Sequence, residues 1–521
     1  MFKGHPKGLI WAALSNMGER FGYYIMNAVL VLFLCSKFGL SDQTAGLIFS
    51  VFYFMIYIMA LPGGIIADKL QNFKGTIATG LIVMAVGYVM LSIPTTVTPE
   101  SSAPMLVLIC AALLLITIGN GLFKGNLQAI VGQMYDNLEA EAAKKGPEAL
   151  ADAQSKRDPG FQIFYVFINI GGVFAPFVAP AIRSWWLGKF GMTYNSDLPA
   201  VCHQYLNGTI DGTQMANLTE WMGKSYEGFD PANMQAACES YLQVFNTGIH
   251  YSFIASVAAM LLSLVIFLIS KKMYPNPAKK EKKEVVDYTH EERQAMAKDI
   301  KQRMAGLYAV LGIVMFFWFS FHQNTQSLTI FTRNFVNSDQ VAPEVWQFLN
   351  PFLVIFLTPV IMWLFNTSWG RKFSTPRKIA IGMGLAACAY IFLTVFSMIV
   401  GYPSGTAFMA QDAATIAAQK CGAWVLIVTY FFLTVAELFI SPLGLSFVSK
   451  IAPKHLQGIC QGLWLTATAL GNLIIFLGVT MLNSFAKLWY TWAVFALICI
   501  IAMAIMFGML KWLERITANQ Q

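Results

Sequence analysis

The first residues that could do chemistry are two charged side chains inside an apolar run near the start of the chain. Glu19 and Arg20 precede an uninterrupted apolar stretch that ends at Leu34. A charged side chain at the bilayer centre costs roughly 2.5–3.5 kcal/mol on insertion scales, so such groups normally face a protein interior or a wet cavity. At 3.6 residues per turn, six polar side chains fall along one stripe of a helix: Asn16, Glu19, Arg20, Tyr23, Tyr24 and Asn27. The stripe predicts a helix that lines a transport pathway, and the alternative is a structural ion pair between helices.

Two further charges lie in apolar runs. Lys124 requires an anionic partner, and the candidates are Glu19, in a purely structural lock, and the carboxylate of a substrate. Glu437 is the only strong acid that we expect to be buried in the second half of the chain. Arg20 and Lys124 would form the positive end of a binding site, with Arg20 able to bind a carboxylate bidentately. With Glu437 at the negative end, the site would fit a zwitterion whose charges are separated.

The composition is that of a polytopic membrane protein. The 521 residues are 56% hydrophobic and 12% charged, whereas soluble domains are about 25% charged. We expect twelve spans of about 20 residues each, at 10–36, 44–67, 75–94, 105–134, 160–184, 248–270, 304–333, 343–366, 377–400, 422–449, 457–483 and 487–512. We expect neither an enzyme nor a cofactor, a metal or a primary pump, because the sequence has no nucleophile elbow, metal-ligand cluster or phosphate loop.

The charges of the loops predict how the chain is oriented in a cell membrane. The connection 271–303 holds ten Lys and Arg residues and is expected in the cytoplasm, while 185–247 holds two basic against six acidic residues and is expected outside. With this orientation both termini are cytoplasmic. Because the basic residues lie in loops between apolar runs, the net charge of +8 does not indicate nucleic-acid binding. The predicted organisation is 1–184 for spans one to five, 185–247 for an extracytoplasmic loop or small cap, 248–270 for span six, 271–303 for a linker with an amphipathic helix over 288–303, and 304–521 for a second six-helix bundle.

Two of the eight cysteines stand apart from the others. Cys202 and Cys238 lie in the long polar loop, whereas the other six lie in apolar runs. If the loop is extracytoplasmic, a disulfide between them is one interpretation, and two free thiols are the other.

Three segments resemble the proton-dependent oligopeptide transporter family, a branch of the major facilitator superfamily. Residues 16–24 resemble its ExxERFxYY signature, residues 119–126 its GNGxFKPN segment, and residues 157–171 its second signature. The resemblance covers all twelve predicted spans. It implies an all-α fold of two six-helix bundles that rock about a site at the membrane midplane. It also implies a monomer that imports di- and tripeptides together with protons.

The resemblance gives roles to individual positions of this chain. Tyr57 matches a tyrosine that lines the peptide site, and Asn169, Asn350 and Glu437 match residues that hold the peptide termini. Judged by residue type alone, a tyrosine in a membrane helix more often packs against its neighbours, and an asparagine there more often hydrogen-bonds one helix to another. The full set of expected substrate-binding residues is Arg20, Tyr23, Tyr24, Tyr57, Lys124, Asn169, Trp318, Asn350, Glu437 and Trp464.

Three positions depart from the family pattern together. Asn16 replaces the first glutamate of the signature, Asn27 replaces a basic residue, and His322 replaces an acid in span seven. Losing the base and the acid together leaves no buried charge without a partner, so we expect Asn27 and His322 to form a hydrogen bond instead. Ser441 is grouped with Asn16 and Asn27 as a gate position. Glu19 and His322 remain as proton-coupling candidates, since histidine has an unperturbed pKa of about 6.5.

The sequence therefore predicts a secondary transporter for di- and tripeptides, coupled to protons through altered sites. Three alternatives stay open: an uncoupled peptide facilitator, a carrier of another small anion or zwitterion such as nitrate or a modified amino acid, and a sensor that binds without transport.

Overall fold

The structure is a computed structural model that describes residues 4–98, 100–275, 290–337, 341–368, 370–452 and 457–518. These ranges contain α-helices, short 3₁₀ segments and three isolated β-bridges, and no β-strand. In the first half of the chain the helices are α1 (Gly8–Phe38), α2 (Asp42–Ile58), α3 (Ala60–Leu70), α4 (Phe73–Ser92), α5 (Ser102–Ala143), α6 (Pro147–Ser155), α7 (Arg157–Gly188), α8 (Leu198–Leu206), α9 (Gly212–Ser225) and α10 (Met234–Ser270). In the second half they are α11 (His290–Phe321), α12 (Ser327–Phe335), α13 (Leu349–Asn366), α14 (Thr375–Val400), α15 (Gly405–Met409), α16 (Ala413–Gln419), α17 (Trp424–Ile451), α18 (Gln457–Leu473), α19 (Phe476–Ser484), α20 (Leu488–Gly508) and α21 (Leu510–Ala518).

Twelve stretches of the described chain are long and apolar enough to cross a membrane, so the predicted number of spans is confirmed. The first six are α1, α2 with α3, α4, α5, α6 with α7, and α10. The last six are α11 with α12, α13, α14, α17, α18 with α19, and α20. The protein is an all-α, multi-pass membrane protein.

Local sequence signals explain where several of these helices begin and end. Gly39 ends α1 in the left-handed conformation, with φ 64° and its N–H bonded to the carbonyl of Cys35. Ser41 then caps α2 by accepting a hydrogen bond from the Thr44 amide. Span eight changes from the 3₁₀ segment Pro343–Phe348 to α13 at Leu349, so Asn350 lies in the first turn of α13. Pro351 follows in the same first turn, where a proline is tolerated.

Contacts divide the chain into two compact units. Unit 1 comprises Met1–Ala278, Thr329–Phe352 and Met409–Gly422, and unit 2 comprises Lys279–Leu328, Leu353–Phe408 and Ala423–Gln521. Two short pieces of the second half of the sequence therefore pack with the first half.

Unit 1 is built around α1, which packs against α10, α7 and α5. Glycines let helices α3 and α5 approach closely, because a Cβ atom at Gly63 would collide with the backbone of Gly121. In unit 2, α14 packs against α17 and α20, and α11 packs against α18 and α20. The amphipathic helix expected over 288–303 is, from His290 onward, the beginning of α11. The preceding linker residues 276–289 lie outside the described ranges.

The long loop after span five contains helical structure. Helices α8 and α9 and the 3₁₀ segment Pro231–Asn233 occupy it, and α8 packs against α10. We call residues 189–233 the cap. The rest of the predicted loop belongs to neighbouring helices, since α7 extends to Gly188 and α10 starts at Met234.

Candidate functional site

The two charges that organise the first span are paired with each other. The guanidinium of Arg20 donates from Nε to Glu19 Oε2 at 2.5 Å and from Nη2 to Glu19 Oε1 at 2.7 Å. Asn120 of α5 also donates to Glu19, at 2.9 Å. Glu19 is 0% exposed and Arg20 is 5% exposed, so water does not screen this pair. The carboxylate of Glu19 accepts three hydrogen bonds, and two of them come from the guanidinium of Arg20.

The polar stripe of α1 continues toward Asn27. The Arg20 guanidinium lies 4.8 Å from the centre of the Tyr23 ring, and Tyr23 donates its hydroxyl hydrogen to Asn27 at 3.1 Å. The ring of Tyr23 meets that of Tyr24 edge-on at 5.4 Å. Asn16, at the other end of the stripe, is also buried. The helical spacing of the sequence thus joins Arg20, Tyr23 and Asn27 in one chain of contacts.

Lys124 on α5 differs from Arg20 in its partners. Its side chain is half-buried, and its ammonium nitrogen lies 4.7 Å from the centre of the Tyr57 ring on α2. Among the described residues no carboxylate lies within ion-pair distance of Lys124. The carboxylate of Glu19 forms its ion pair with Arg20 and accepts a hydrogen bond from Asn120. The Lys124–Glu19 lock is therefore not formed. Tyr57 supplies a cation–π contact, which attracts the ammonium group without neutralising it.

The two asparagines expected to hold peptide termini also belong to unit 1. Asn169 of α7 is buried and donates to the carbonyl of Tyr165 at 3.0 Å, so its side-chain oxygen remains available as an acceptor. Asn350 is half-buried in the first turn of α13.

Unit 2 contains the remaining predicted residues. His322 is buried in the 3₁₀ segment after α11, stacks on Trp318 at 5.0 Å, and hydrogen-bonds through Nδ1 to the Asn472 side-chain oxygen at 2.5 Å. The Asn472 partner was not foreseen from the sequence. Glu437 and Ser441 are half-buried on α17. Trp464 of α18 is 3% exposed, and its indole ring packs directly on Gly444 of α17.

A second group of buried charges in unit 1 escaped the sequence analysis. Arg183 of α7 lies 2.8 Å from the carboxylate of Glu344, with side-chain exposures of 1% and 0%. This corrects the expectation that Glu437 is the only buried acid of the second half, because Glu344 is sealed from solvent. The signal that could have found the pair is Arg183 itself, a charge near the end of the fifth apolar run.

Two more ion pairs complete this group. Arg333 of α12 binds both carboxylate oxygens of Asp42 on α2, at 3.0 and 2.7 Å. Lys420 lies 3.6 Å from Asp197 of the cap, and both side chains are 9% exposed. We call these six residues the ion-pair cluster: Asp42, Arg183, Asp197, Arg333, Glu344 and Lys420. Each pair joins a segment of the first half of the sequence to 329–352 or 409–422.

Two further residues of the cap contact Arg183 and the segment 409–422. Tyr194 stacks its ring on Arg183, with 4.1 Å between the guanidinium carbon and the ring centre. Burial raises the pKa of Tyr194 above its ordinary value, so the hydroxyl stays neutral. Asn217 of α9 donates to the carbonyl of Gln411 and accepts from the amide of Ala413, both at 2.8 Å.

Chemically, the site in unit 1 is a cation-rich, aromatic environment. One carboxylate, that of Glu19, lies beside two cations, and the second cation, Lys124, is half-buried with no carboxylate of the described residues within ion-pair distance. A carboxylate or another small anion satisfies Lys124 best, because charge-assisted hydrogen bonds are the strongest that a lysine makes. Among the described residues there is no group of three or more His, Cys, Asp or Glu side chains that could hold a metal ion.

A family profile and curated relatives match this chain over most of its length. The profile described as "PTR2: POT family" matches residues 74–287 and 279–494. The chain is 26% identical over 481 residues to dipeptide and tripeptide permease A of Escherichia coli K12, covering 90% of this chain and 83% of the relative. It is 26% identical to dipeptide and tripeptide permease B of Salmonella typhimurium, covering 90% and 85%.

Solved structures agree in fold. A crystal structure of a peptide transporter POT in complex with sulfate matches with a TM-score of 0.68 at 22% identity, over 99% of this chain and 96% of that one. A POT family transporter in complex with 5-aminolevulinic acid matches with a TM-score of 0.66 at 20% identity, over 99% and 98%. The predicted major facilitator fold is confirmed. Since the family profile spans most of the sequence, the chain belongs to the POT family.

Proposed function

We propose that this protein imports di- and tripeptides across the cytoplasmic membrane by alternating access, with both termini in the cytoplasm. The observation that carries the proposal is Lys124, a half-buried cation with no carboxylate partner among the described residues. Membership of the POT family and the dipeptide and tripeptide permeases among its relatives support a peptide as the ligand.

The carboxylate end of the peptide is proposed to bind Lys124 first. Arg20 is the second cation, and it becomes available when Glu19 releases it. Asn169 and Asn350 are amide donors and acceptors suited to the peptide bond and to an ammonium group. Glu437 is the proposed anionic partner of that ammonium group, since it is an acid half-buried in an apolar helix. The rings of Tyr23, Tyr24, Tyr57, Trp318 and Trp464 are proposed to contact side chains of many shapes, because apolar contact discriminates weakly.

Proton coupling is proposed to act through Glu19, with His322 as a second site. Protonation of Glu19 removes the charge that holds both Nε and Nη2 of Arg20. The freed guanidinium can then bind the peptide carboxylate bidentately, which makes proton and peptide binding mutually favourable. Asn16, Asn27 and Ser441 carry no charge and are proposed to act in gating.

Uptake of a labelled dipeptide into proteoliposomes tests this function. The purified protein is reconstituted, and uptake is followed with an imposed inward proton gradient, with no gradient, and in empty liposomes. Accumulation above equilibrium that requires the gradient is expected. Equilibration that ignores the gradient would contradict proton coupling. Absence of flux in protein that remains monodisperse would contradict peptide transport and favour another zwitterion or a sensor.

A further inference from the structure

Two cysteines meet where the cap joins the membrane helices. Cys202 lies on α8 and Cys238 lies on α10, and these two helices pack against each other. Both side chains are 0% exposed, and Cys238 lies near enough to Cys202 to raise the pKa of its thiol. The structure describes both as free thiols. They are 36 positions apart in the sequence, so the fold and not the chain brings them together.

Other cysteines have neighbours of a different kind. Cys35 donates to a carboxylate oxygen of Asp42 at 3.5 Å, and Cys460 lies 3.9 Å from the sulfur of Met304. Cys110 and Cys388 are exposed on membrane-spanning helices. The Cys202–Cys238 contact is thus a feature of the cap and is not a general property of cysteines in this protein.

The cap is too small to build a large core of its own. Helices α8 and α9 have 9 and 14 residues, and domains of this size usually need disulfides, metals or a partner surface. Polar contacts already fix part of the cap to α10. Tyr241 donates to the carbonyl of Thr193 at 2.9 Å and accepts from the amide of Asn195 at 3.0 Å.

We propose that Cys202 and Cys238 form a disulfide that fastens the cap to span six. The charges of the loops support the compartment that this needs. The acidic segment 185–247 is expected outside the cytoplasm and the basic segment 271–303 inside it. Disulfides form and persist in the oxidising space outside the cytoplasm.

The reaction is a thiol–disulfide exchange with a disulfide-carrying oxidoreductase of that compartment. One cysteine, as its thiolate, attacks the disulfide of the oxidoreductase and forms a mixed disulfide, and one oxidoreductase sulfur leaves as a thiolate. The second cysteine then attacks the mixed disulfide, forming the Cys202–Cys238 bond and releasing the second sulfur. The two cysteines lose two protons and two electrons, and the oxidoreductase gains them as a dithiol.

The burial of the two thiols determines the stage of folding at which this exchange takes place. The neighbouring Cys238 thiol and burial raise the pKa of the Cys202 thiol well above its ordinary value. A buried thiol that is rarely ionised reacts slowly, because the thiolate is the nucleophile. The bond therefore forms while the cap is still folding, before α8 closes against α10.

Thiol counting in the full-length protein tests the proposal. Cells that express the protein in their cytoplasmic membrane are quenched with acid, so that no thiol is oxidised during lysis. The protein is denatured and treated with a polyethylene glycol maleimide, with and without prior reduction, and the attached chains are counted from gel mobility. Six of the eight cysteines are expected to label before reduction and all eight after it. Peptide mapping is expected to recover residues 202 and 238 in one linked peptide.

Two variants act as matched controls under the same denaturing conditions. Cys202→Ser is expected to label at seven cysteines with or without reduction, because Cys238 has lost its partner. The double variant Cys202→Ser with Cys238→Ser is expected to label at six in both cases. Labelling of all eight cysteines of the unaltered protein before reduction, or a linked peptide that contains other cysteines, would overturn the proposal.

Discussion

Unit 1 contains two groups of charged side chains that differ in charge balance. One is the ion-pair cluster, and the other consists of Glu19, Arg20 and Lys124, which we call the Arg20–Lys124 site. The ion-pair cluster has three acids and three bases, each within reach of an opposite charge. The Arg20–Lys124 site has one acid, Glu19, against two bases. In a balanced set each charge is neutralised by its neighbour, and removing one partner leaves the other buried and uncompensated. An unbalanced set can accept an anion from outside, which fits the peptide-binding site proposed at Arg20 and Lys124.

Glu344→Gln is expected to have the largest effect on stability. It leaves Arg183 buried without a counter-ion, which costs about 3–5 kcal/mol for a buried pair. The free energy of unfolding in detergent, from denaturant titration, measures the loss. Glu220→Gln is the matched control, because Glu220 pairs with the exposed Lys224 and such pairs contribute little. A loss in E344Q no larger than in E220Q would contradict the assignment of Glu344 as a buried partner.

Glu19→Gln breaks the pair in the other group and sharpens the contrast. Arg20 is left without its carboxylate, so stability again falls by about 3–5 kcal/mol. Here a peptide can replace the missing anion, while Arg183 is expected to have no such substitute. Thermal unfolding with and without a dipeptide measures this difference. The dipeptide is expected to raise the midpoint of thermal unfolding more in E19Q than in the unaltered protein. An equal or smaller rise would contradict the claim that a peptide carboxylate can replace Glu19 beside Arg20.

Two lysine variants are expected to have opposite effects. Lys124→Met removes a charge-assisted hydrogen bond to the substrate carboxylate, worth about 1.5–3 kcal/mol, so dipeptide uptake falls about 10- to 150-fold while stability is kept. Lys420→Met removes the partner of Asp197 and lowers stability, while dipeptide affinity of the folded protein is kept. Uptake and unfolding are measured for both. A K124M protein that is less stable and still transports normally would contradict the binding role proposed for Lys124.

The smallest expected effect is a pH dependence at the cap. His203 donates from Nε2 to the carbonyl of Ser36 at 2.7 Å, and burial lowers the pKa of His203 below its usual 6.5. As the pH falls, His203 is therefore protonated at a higher pH in the unfolded cap than in the folded cap. The contribution to stability is complete above about pH 6.5 and is lost as the pH falls through the lowered pKa. Hydrogen exchange of α8 is expected to quicken on acidification, and to do so less in His203→Gln. Equal acid sensitivity in the two proteins would count against His203.

The sequence was sufficient for the spans and for the polar stripe of α1. Long apolar runs report membrane helices directly, and the spacing of Arg20, Tyr23 and Asn27 places them on one face. The sequence could not decide which base pairs with Glu19, because that depends on helix rotation and on Asn120 of α5. It also missed the pairing of Arg183 with Glu344. Those residues are 161 positions apart, and only the packing of the segment 343–348 against α7 brings them together.

Whether Lys124 binds the carboxylate of a peptide is the most direct question that the account raises. Binding of a dipeptide and of the same dipeptide with its carboxylate converted to an amide is measured by calorimetry, on the unaltered protein and on K124M. The account predicts that the unaltered protein binds the amide about 10- to 150-fold more weakly than the free acid. It predicts that K124M binds both with nearly equal affinity. A K124M protein that keeps the full preference for the free acid would contradict the central claim.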